Sequence, residues 1–286
     1  MAENTAIMKG KTVVITGASS GIGLEAALGL AKLGARVVMV ARDKQLGLKA
    51  VDYVKTNSGS KSAELLLCDM SFMKNVRKLA ADIKKKCKKI DVLLNNVGGV
   101  FGKHTLTPDG FEWTFALDHL APFLLTNLLL PILKKSGNSR VVTVASVAHM
   151  MGHINFDDLM GEKKYAEMGA YSQAKLANIL FSNELARRLK GTKVTSNSVH
   201  PGVVHTKFAQ SGGALSGFFY NVFGFLMETP AQGARTSIYA ASSPEMEGVT
   251  GKYLAACKIA NPSAEARDEA VAKRLWEVSA KLVGIK

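Results

Sequence analysis

Tyr171 and Lys175 stand four positions apart in Tyr171-Ser172-Gln173-Ala174-Lys175. On a helix that spacing brings a phenol and an ammonium to one face. A cation beside a phenol favours phenolate and lowers its pKa from about 10. Bringing it near 7 takes roughly 4 kcal/mol of preferential stabilisation. The product is a proton donor and acceptor that works at neutral pH. Ser146, just after the apolar run Arg140 to Ala145, is a candidate to hydrogen-bond the oxygen that exchanges that proton. A Tyr-x-x-x-Lys pair is equally at home on a solvated helix, so its meaning depends on what else the chain carries.

A second feature is the glycine-rich turn Gly17-Ala18-Ser19-Ser20-Gly21-Ile22-Gly23, which follows the apolar run Thr12 to Thr16. After it, Leu24, Ala27, Leu28, Leu30 and Ala31 recur at helical spacing until Gly34. Strand, glycine turn and helix let a pyrophosphate approach backbone N–H groups and the positive end of a helix dipole. Ser19 and Ser20 add hydroxyl donors. The spacing is G-x-x-x-G-x-G rather than G-x-G-x-x-G. The letters Gly17 to Gly21 also satisfy G-x-S-x-G, a hydrolase nucleophile elbow with Ser19 as nucleophile. That reading lacks an HGGG-type oxyanion motif upstream and leaves Tyr171, Lys175 and Arg42 without a role.

These residues need a frame. The sequence predicts strands at Thr12 to Thr16, Arg36 to Ala41, Ala63 to Cys68, Ile90 to Asn95, Arg140 to Ala145 and Val194 to Val199, with Lys252 to Ala255 as a last one. Helical periodicity predicts helices at Asp43 to Asn57, Ser71 to Cys87, Asp109 to Lys135, Ala170 to Lys190, Thr229 to Ala241 and Ala264 to Val283. Pro122 and Pro131 each predict a bend or break. Strands that alternate with helices imply a doubly wound parallel α/β sheet of Rossmann type. With no linker or repeat, the chain reads as a single domain over 1–286.

In such a sheet the ligand sits at the C-terminal ends of the strands. Arg42 follows the second strand, and no acid precedes it; Asp43 comes only after. An acid there holds a free ribose 2′-hydroxyl, whereas Arg accommodates a 2′-phosphate, so NADP(H) is expected over NAD(H). Asp69 is an acceptor for an adenine amino group, or merely a helix N-cap. Asn95-Asn96-Val97-Gly98-Gly99 suits backbone passing close to a ligand, or a tight turn. His200-Pro201-Gly202 offers backbone to a carboxamide, and Thr206 reaches for a phosphate, unless the loop carries no chemistry.

The chain has 286 residues, is 47% hydrophobic and carries a net charge of +14. No apolar run reaches the roughly 20 residues of a membrane span, and the N-terminus shows no signal-peptide pattern. Cys68, Cys87 and Cys257 are scattered, which suits a reducing, cytoplasmic setting. The cluster Lys84 to Lys89 closes a helix without interleaved aromatics, so a solvated face is expected rather than nucleic-acid binding. The six histidines show no metal spacing. His149 and His153, four apart without a third ligand, read as a surface loop.

Thr16-Gly17-Ala18-Ser19-Ser20-Gly21-Ile22-Gly23, Asp69, Asn95-Asn96-Val97-Gly98, Ser146, Tyr171-x-x-x-Lys175 and His200-Pro201-Gly202 occur in this order. Together they resemble the classical short-chain dehydrogenase/reductase family over essentially the whole chain. The segments Phe115 to Thr126, Ser146 to His149 and Ile154 to Leu159 are similar to its retinol-dehydrogenase-like reductases. The resemblance implies an oxidoreductase moving a hydride between NADP(H) and a lipophilic carbonyl or alcohol, in the manner of a carbonyl reductase. Tyr171 would exchange the proton, Ser146 would orient the oxygen, and Lys175 would bind the nicotinamide ribose. Gly17, Ser19, Ser20, Gly21, Ile22, Gly23, Arg42, Asp69, Asn95, Val97, Gly98, Pro201, Gly202 and Thr206 would line the cofactor.

Asp118 departs from the family, which usually has Asn there to hold a water next to the lysine. A catalytically impaired sensor or scaffold is therefore an alternative. The apolar stretch Phe208 to Met227 would cover the substrate. Pairing through the helix of Tyr171 as a homodimer or homotetramer is implied, although Leu176, Ile179, Leu180 and Phe181 equally suit a core face. Relatives often carry an N-terminal membrane anchor; none is expected here, with peripheral membrane contact left open.

Overall fold

The computed structural model describes residues 6–202 and 229–285. An eight-stranded sheet runs in the order β3-β2-β1-β4-β5-β6-β7-β8. Its strands are β1 (Thr12–Thr16), β2 (Arg36–Ala41), β3 (Ala63–Leu67), β4 (Val92–Asn95), β5 (Arg140–Val144), β6 (Thr195–His200), β7 (Tyr253–Ala255) and β8 (Lys258–Ala260). All neighbouring pairs are parallel except β7 with β8. The doubly wound expectation holds, and the strand order reverses between β1 and β4, where such sheets bind nucleotides.

Residues alternate between two cores, as the two-residue period of a strand requires. Val14, Val38, Leu93 and Val141 face one core; Val13, Val37, Leu94 and Val142 face the other. The first core is covered by α3 (Met73–Lys86), α5 (Ala121–Ser136), α6 (Glu167–Arg188) and α8 (Glu269–Leu282). The second is covered by α1 (Gly21–Lys32), α2 (Lys44–Ser58) and α7 (Pro230–Ser242). Leu176, Ile179, Leu180 and Phe181 are all buried within this chain, so they form core and not an exposed pairing face. Lys84, Lys85, Lys86, Lys88 and Lys89 are exposed at and just beyond the α3 C-terminus, where cations offset the helix dipole.

The segment predicted as one helix from Asp109 is not one. A short helix α4 (Trp113–Phe115) passes into a π-helical turn, Ala116–Leu120, and then into α5. The Ala121 N–H bonds the Ala116 carbonyl, five residues back. Pro122 has no N–H to offer the Asp118 carbonyl, and one extra residue is accommodated just before it. Pro131 lies inside α5 without ending it. Trp113–Ser136 is also apolar enough to cross a membrane, with a mean hydropathy of 1.5, which corrects the expectation that no such stretch exists. Its Phe115, Leu120, Phe123, Leu124 and Leu125 are instead wholly buried in the core.

Candidate active site

The glycine turn closes over the end of β4. Gly17 and Gly21 sit in the left-handed region, at φ 66° and 56°. A Cβ on Gly23 would lie 2.3 Å from the Gly17 carbonyl oxygen and 2.4 Å from the Asn96 amide nitrogen. No other residue type fits there without backbone movement. Asn96 donates its side-chain amide to the carbonyls of Thr16 (2.9 Å) and Gly17 (3.1 Å). In return the Thr16 hydroxyl accepts the N–H groups of Asn96 and Val97. Asn96 thus ties the turn to β4, a role that the sequence did not single out.

The turn has the form that a pyrophosphate needs. Ser20 precedes α1 but makes no side-chain cap, so the first N–H groups of the helix, from Gly21, Ile22 and Gly23, are presented without an intrahelical acceptor. Ser19 is partly exposed and Ser20 exposed beside them. Among the described residues no histidine hydrogen-bonds Ser19, so a hydrolase would lack its base. At the end of β2, Arg42 is exposed. Asp43 spends one carboxylate oxygen capping α2 at the Leu46 N–H, 2.8 Å away.

Asp69 folds on itself: one oxygen accepts both the N–H and the hydroxyl of Ser71. It stands ahead of α3 without capping it, since α3 begins at Met73 and its first N–H is held by Asp109 at 2.8 Å. Asn95 lies at the end of β4. Its side chain is buried and donates to Thr126 of α5 at 2.9 Å, because residue 95 still belongs to β4 and points into the core. Val97 and Gly98, past the strand end, are partly exposed. Pro201 is buried, and Gly202 turns the chain after β6 at φ 91°. Thr206 and the stretch Phe208 to Met227 lie outside the described residues.

The chemistry-bearing side chains meet above Gly98. Helix α6 begins at Glu167, three residues earlier than predicted, which sets Tyr171 and Lys175 firmly on one helical face. The Lys175 ammonium lies 5.3 Å from the Tyr171 ring centre. It also lies 2.7 Å from Asp118 Oδ2, with both side chains buried. The Gly99 N–H donates to Asp118 Oδ1 at 2.7 Å. A Cβ on Gly98 would come within 2.9 Å of the Lys175 ammonium and 3.0 Å of Asp118 Oδ2.

Tyr171 keeps part of its surface exposed, yet its surroundings push the phenol above its usual value. Loss of hydration is the main cause, Lys175 pulls the other way, and Asp118 pushes up again. A hydrogen bond with Ser146 favours phenolate. The expected simple lowering by Lys175 is therefore corrected: Asp118 and desolvation outweigh it. Burial is the largest influence on Lys175 and opposes its charge, but Asp118 and Tyr171 together outweigh it and hold the ammonium's pKa above the usual lysine value. Burial likewise pushes the Asp118 carboxyl up, while Lys175 and the Gly99 N–H pull it back.

Ser146 caps a 3₁₀ turn, Val147–Met151, and its hydroxyl accepts the Ala148 N–H at 3.2 Å. His149 on that turn is buried, not part of a surface loop, whereas His153 is exposed.

Comparison with known proteins agrees with this arrangement. Residues 11–214 match the family model described as short chain dehydrogenase. Human retinol dehydrogenase 11 is 42% identical over 282 residues, covering 99% of this chain and 88% of that protein. Mouse retinol dehydrogenase 14 is 42% identical and covers 98% of this chain and 87% of its own length. A solved structure of an uncharacterised protein from Mycobacterium paratuberculosis superposes with a TM-score of 0.81 at 34% identity, covering 100% of this chain and 97% of that one. An NADP complex of RhlG from Pseudomonas aeruginosa shares the fold, with a TM-score of 0.71 at 22% identity, covering 95% of this chain and 100% of its own. With its nucleotide turn, its reversed strand order and its Ser146, Tyr171 and Lys175 in one place, the chain belongs to the short-chain dehydrogenase family of oxidoreductases.

Proposed function

We propose that this oxidoreductase transfers a hydride between NADP(H) and a lipophilic carbonyl or alcohol, with Tyr171 exchanging the proton. The observation that carries the reading is the Lys175 ammonium beside the Tyr171 ring, with Ser146 hydrogen-bonding the same phenol. When bound, the nicotinamide supplies or accepts the hydride. Ser146 and Tyr171 hold the substrate oxygen, and Lys175 keeps a positive charge beside the phenol. A phenol whose pKa is raised stays protonated near neutrality, so it is ready to give a proton to a carbonyl oxygen. Alcohol oxidation needs the phenolate and gains with rising pH.

Arg42 and the engaged carboxylate of Asp43 support NADP(H). Val147, Met150 and Met151 are exposed large apolar side chains on the turn that Ser146 caps, and Met168 is another, three residues before Tyr171. Such a rim favours a lipophilic substrate, in line with the retinol dehydrogenases among the relatives. The ion pair to Asp118 favours a second reading, a binding protein with slow chemistry.

NADPH and NADH consumption with all-trans-retinal and a panel of small ketones separates these readings. Tyr171→Phe is expected to bind NADPH as the wild type does and to lose ~100-fold or more in kcat, the scale of general acid catalysis. Turnover that survives in the variant would place the proton donor elsewhere. No turnover by the wild type with any carbonyl would favour the binding protein.

A further inference from the structure

We infer that His149 and His200 are positioning residues for Ser146, gripping the Ser146–Val147 peptide on both of its polar edges. The inference rests on the proposed role of Ser146. His149 Nδ1 lies 2.6 Å from the Ser146 carbonyl oxygen. A carbonyl only accepts, so Nδ1 carries the proton. His149 Nε2 is then bare, and it accepts the Ser263 N–H at 3.1 Å. On the other edge of the same peptide, the Val147 N–H donates to His200 Nδ1 at 3.3 Å. His200 must therefore carry its proton on Nε2. Two neutral imidazoles of opposite tautomer hold one peptide plane, and that plane sets the direction of the serine side chain.

The grip is anchored from three places. His149 belongs to the turn after β5, His200 ends β6, and Ser263 follows β8. The His149 N–H of the backbone adds a second bond to the Ser146 carbonyl at 3.1 Å. The ring packs edge-on against Tyr253 of β7, with centres 5.0 Å apart.

No acid faces His149 among the described residues. Tyr253 is a neutral phenol pushed up to about 12, and Ser263 is uncharged. Glu265 is engaged by His153 and the Ile154 N–H, each at 2.9 Å. The remaining titratable neighbour is His200, whose pKa is pushed down to about 4 by burial and by the proximity of His149. Burial lowers His149 as well. A proton on either ring converts an acceptor into a donor that faces an N–H, and the grip opens.

A double-mutant cycle on the full chain tests this, with NADPH and all-trans-retinal as probes and NADPH affinity as the check on folding. Ser146→Ala is expected to lose ~100-fold in kcat, and His149→Phe ~10-fold with little change in KM. The double variant should be no slower than Ser146→Ala, because His149 acts through the serine. Losses that multiply, or a His149→Phe protein with wild-type kcat, overturn the inference. If Ser146→Ala keeps its turnover, the role of Ser146 fails first and the inference falls with it. Nitrogen-15 NMR of the wild-type imidazoles at pH 7 is independent of variant folding. It should show a protonated Nδ1 on His149, assigned through contacts to Tyr253, and a protonated Nε2 on His200. A cation on either, or the reverse tautomers, overturns the assignment.

Discussion

The Lys175 ammonium and the Asp118 carboxylate sit 2.7 Å apart with almost no exposed surface on either side chain. The π-helical turn makes this meeting possible, because it re-aims residue 118 just before Pro122. A neutral amide at this position would contact the lysine without charge. The carboxylate instead stabilises the ammonium and opposes a negative phenolate on Tyr171.

Replacing Asp118 by Asn removes that opposition at nearly constant volume. Asp118 raises the Tyr171 pKa, so its removal lowers it. One unit corresponds to about 1.4 kcal/mol, or about tenfold in phenolate population well below the pKa. Asp118→Asn is therefore expected to shift the alkaline limb of alcohol oxidation to lower pH and to raise the rate near neutrality. The measurement is a pH–rate profile with saturating NADP⁺, with deuterated alcohol to check that hydride transfer is seen. Superimposable profiles, or a shift to higher pH, would rule out the electrostatic role.

Gly98 holds the space in which this pair meets. In Gly98→Ala the new methyl would displace the Lys175 ammonium, the more mobile of the two nearby groups. Misplacement by about 1 Å at a reacting centre costs up to about 100-fold in rate. Gly98→Ala should lose 10-fold or more on that scale while its thermal midpoint stays close to that of the wild type. A variant with normal kcat would show that the lysine adjusts without consequence.

The frame was legible because most of the buried strands are apolar runs and the helices between them interrupted ones, although β6 (TSNSVH) is buried and largely polar. What escaped the sequence depends on contacts across the fold. Asn96 and Asn95 are indistinguishable as letters; only the end of β4 sends one to the glycine turn and the other to Thr126. His149 and His153 share a spacing, but the packing of Tyr253 over the 3₁₀ turn buries the first. Strand β8 was missed because its hairpin turns through Ala256 and Cys257 at φ 48° and 60°, where Asn or Gly would announce such a turn. The lowering of the Tyr171 pKa by Lys175 was legible as chemistry, but its sign was overridden by burial that no sequence displays.

Cofactor choice follows from the end of β2. Asp43 is committed to capping α2, and Arg42 stands exposed before it. NADPH should bind more tightly than NADH, and Arg42→Ala should weaken NADPH by about tenfold or more, as loss of a charge-assisted contact of about 1.5–3 kcal/mol predicts. NADH affinity should be unchanged. Titration of both cofactors against both proteins decides this, and equal affinities in the wild type would reject it.

His119, next to Asp118, predicts how stability falls in acid. It is wholly buried among Phe115, Phe123 and Phe181, and its Nε2 pairs with the Ser279 hydroxyl at 2.8 Å. Burial pushes its pKa from 6.5 down to about 3, with Asn178 pulling slightly back. Above about pH 6.5 the ring is neutral both folded and unfolded, and it contributes no pH dependence. As pH falls below that, the unfolded chain takes up a proton that the folded chain refuses, so stability declines until the pH reaches about 3. At about 1.4 kcal/mol per unit the full loss approaches roughly 5 kcal/mol, and about 2 kcal/mol by pH 5. His119→Phe removes this term. At pH 7.5 it should cost about 1 kcal/mol, since Ser279 is left unpaired, but it should lose less stability than the wild type between pH 7.5 and pH 5. Urea unfolding of both proteins at the two pH values makes the comparison. Parallel losses in the two proteins would show that His119 titrates normally and that the acid sensitivity lies in other groups.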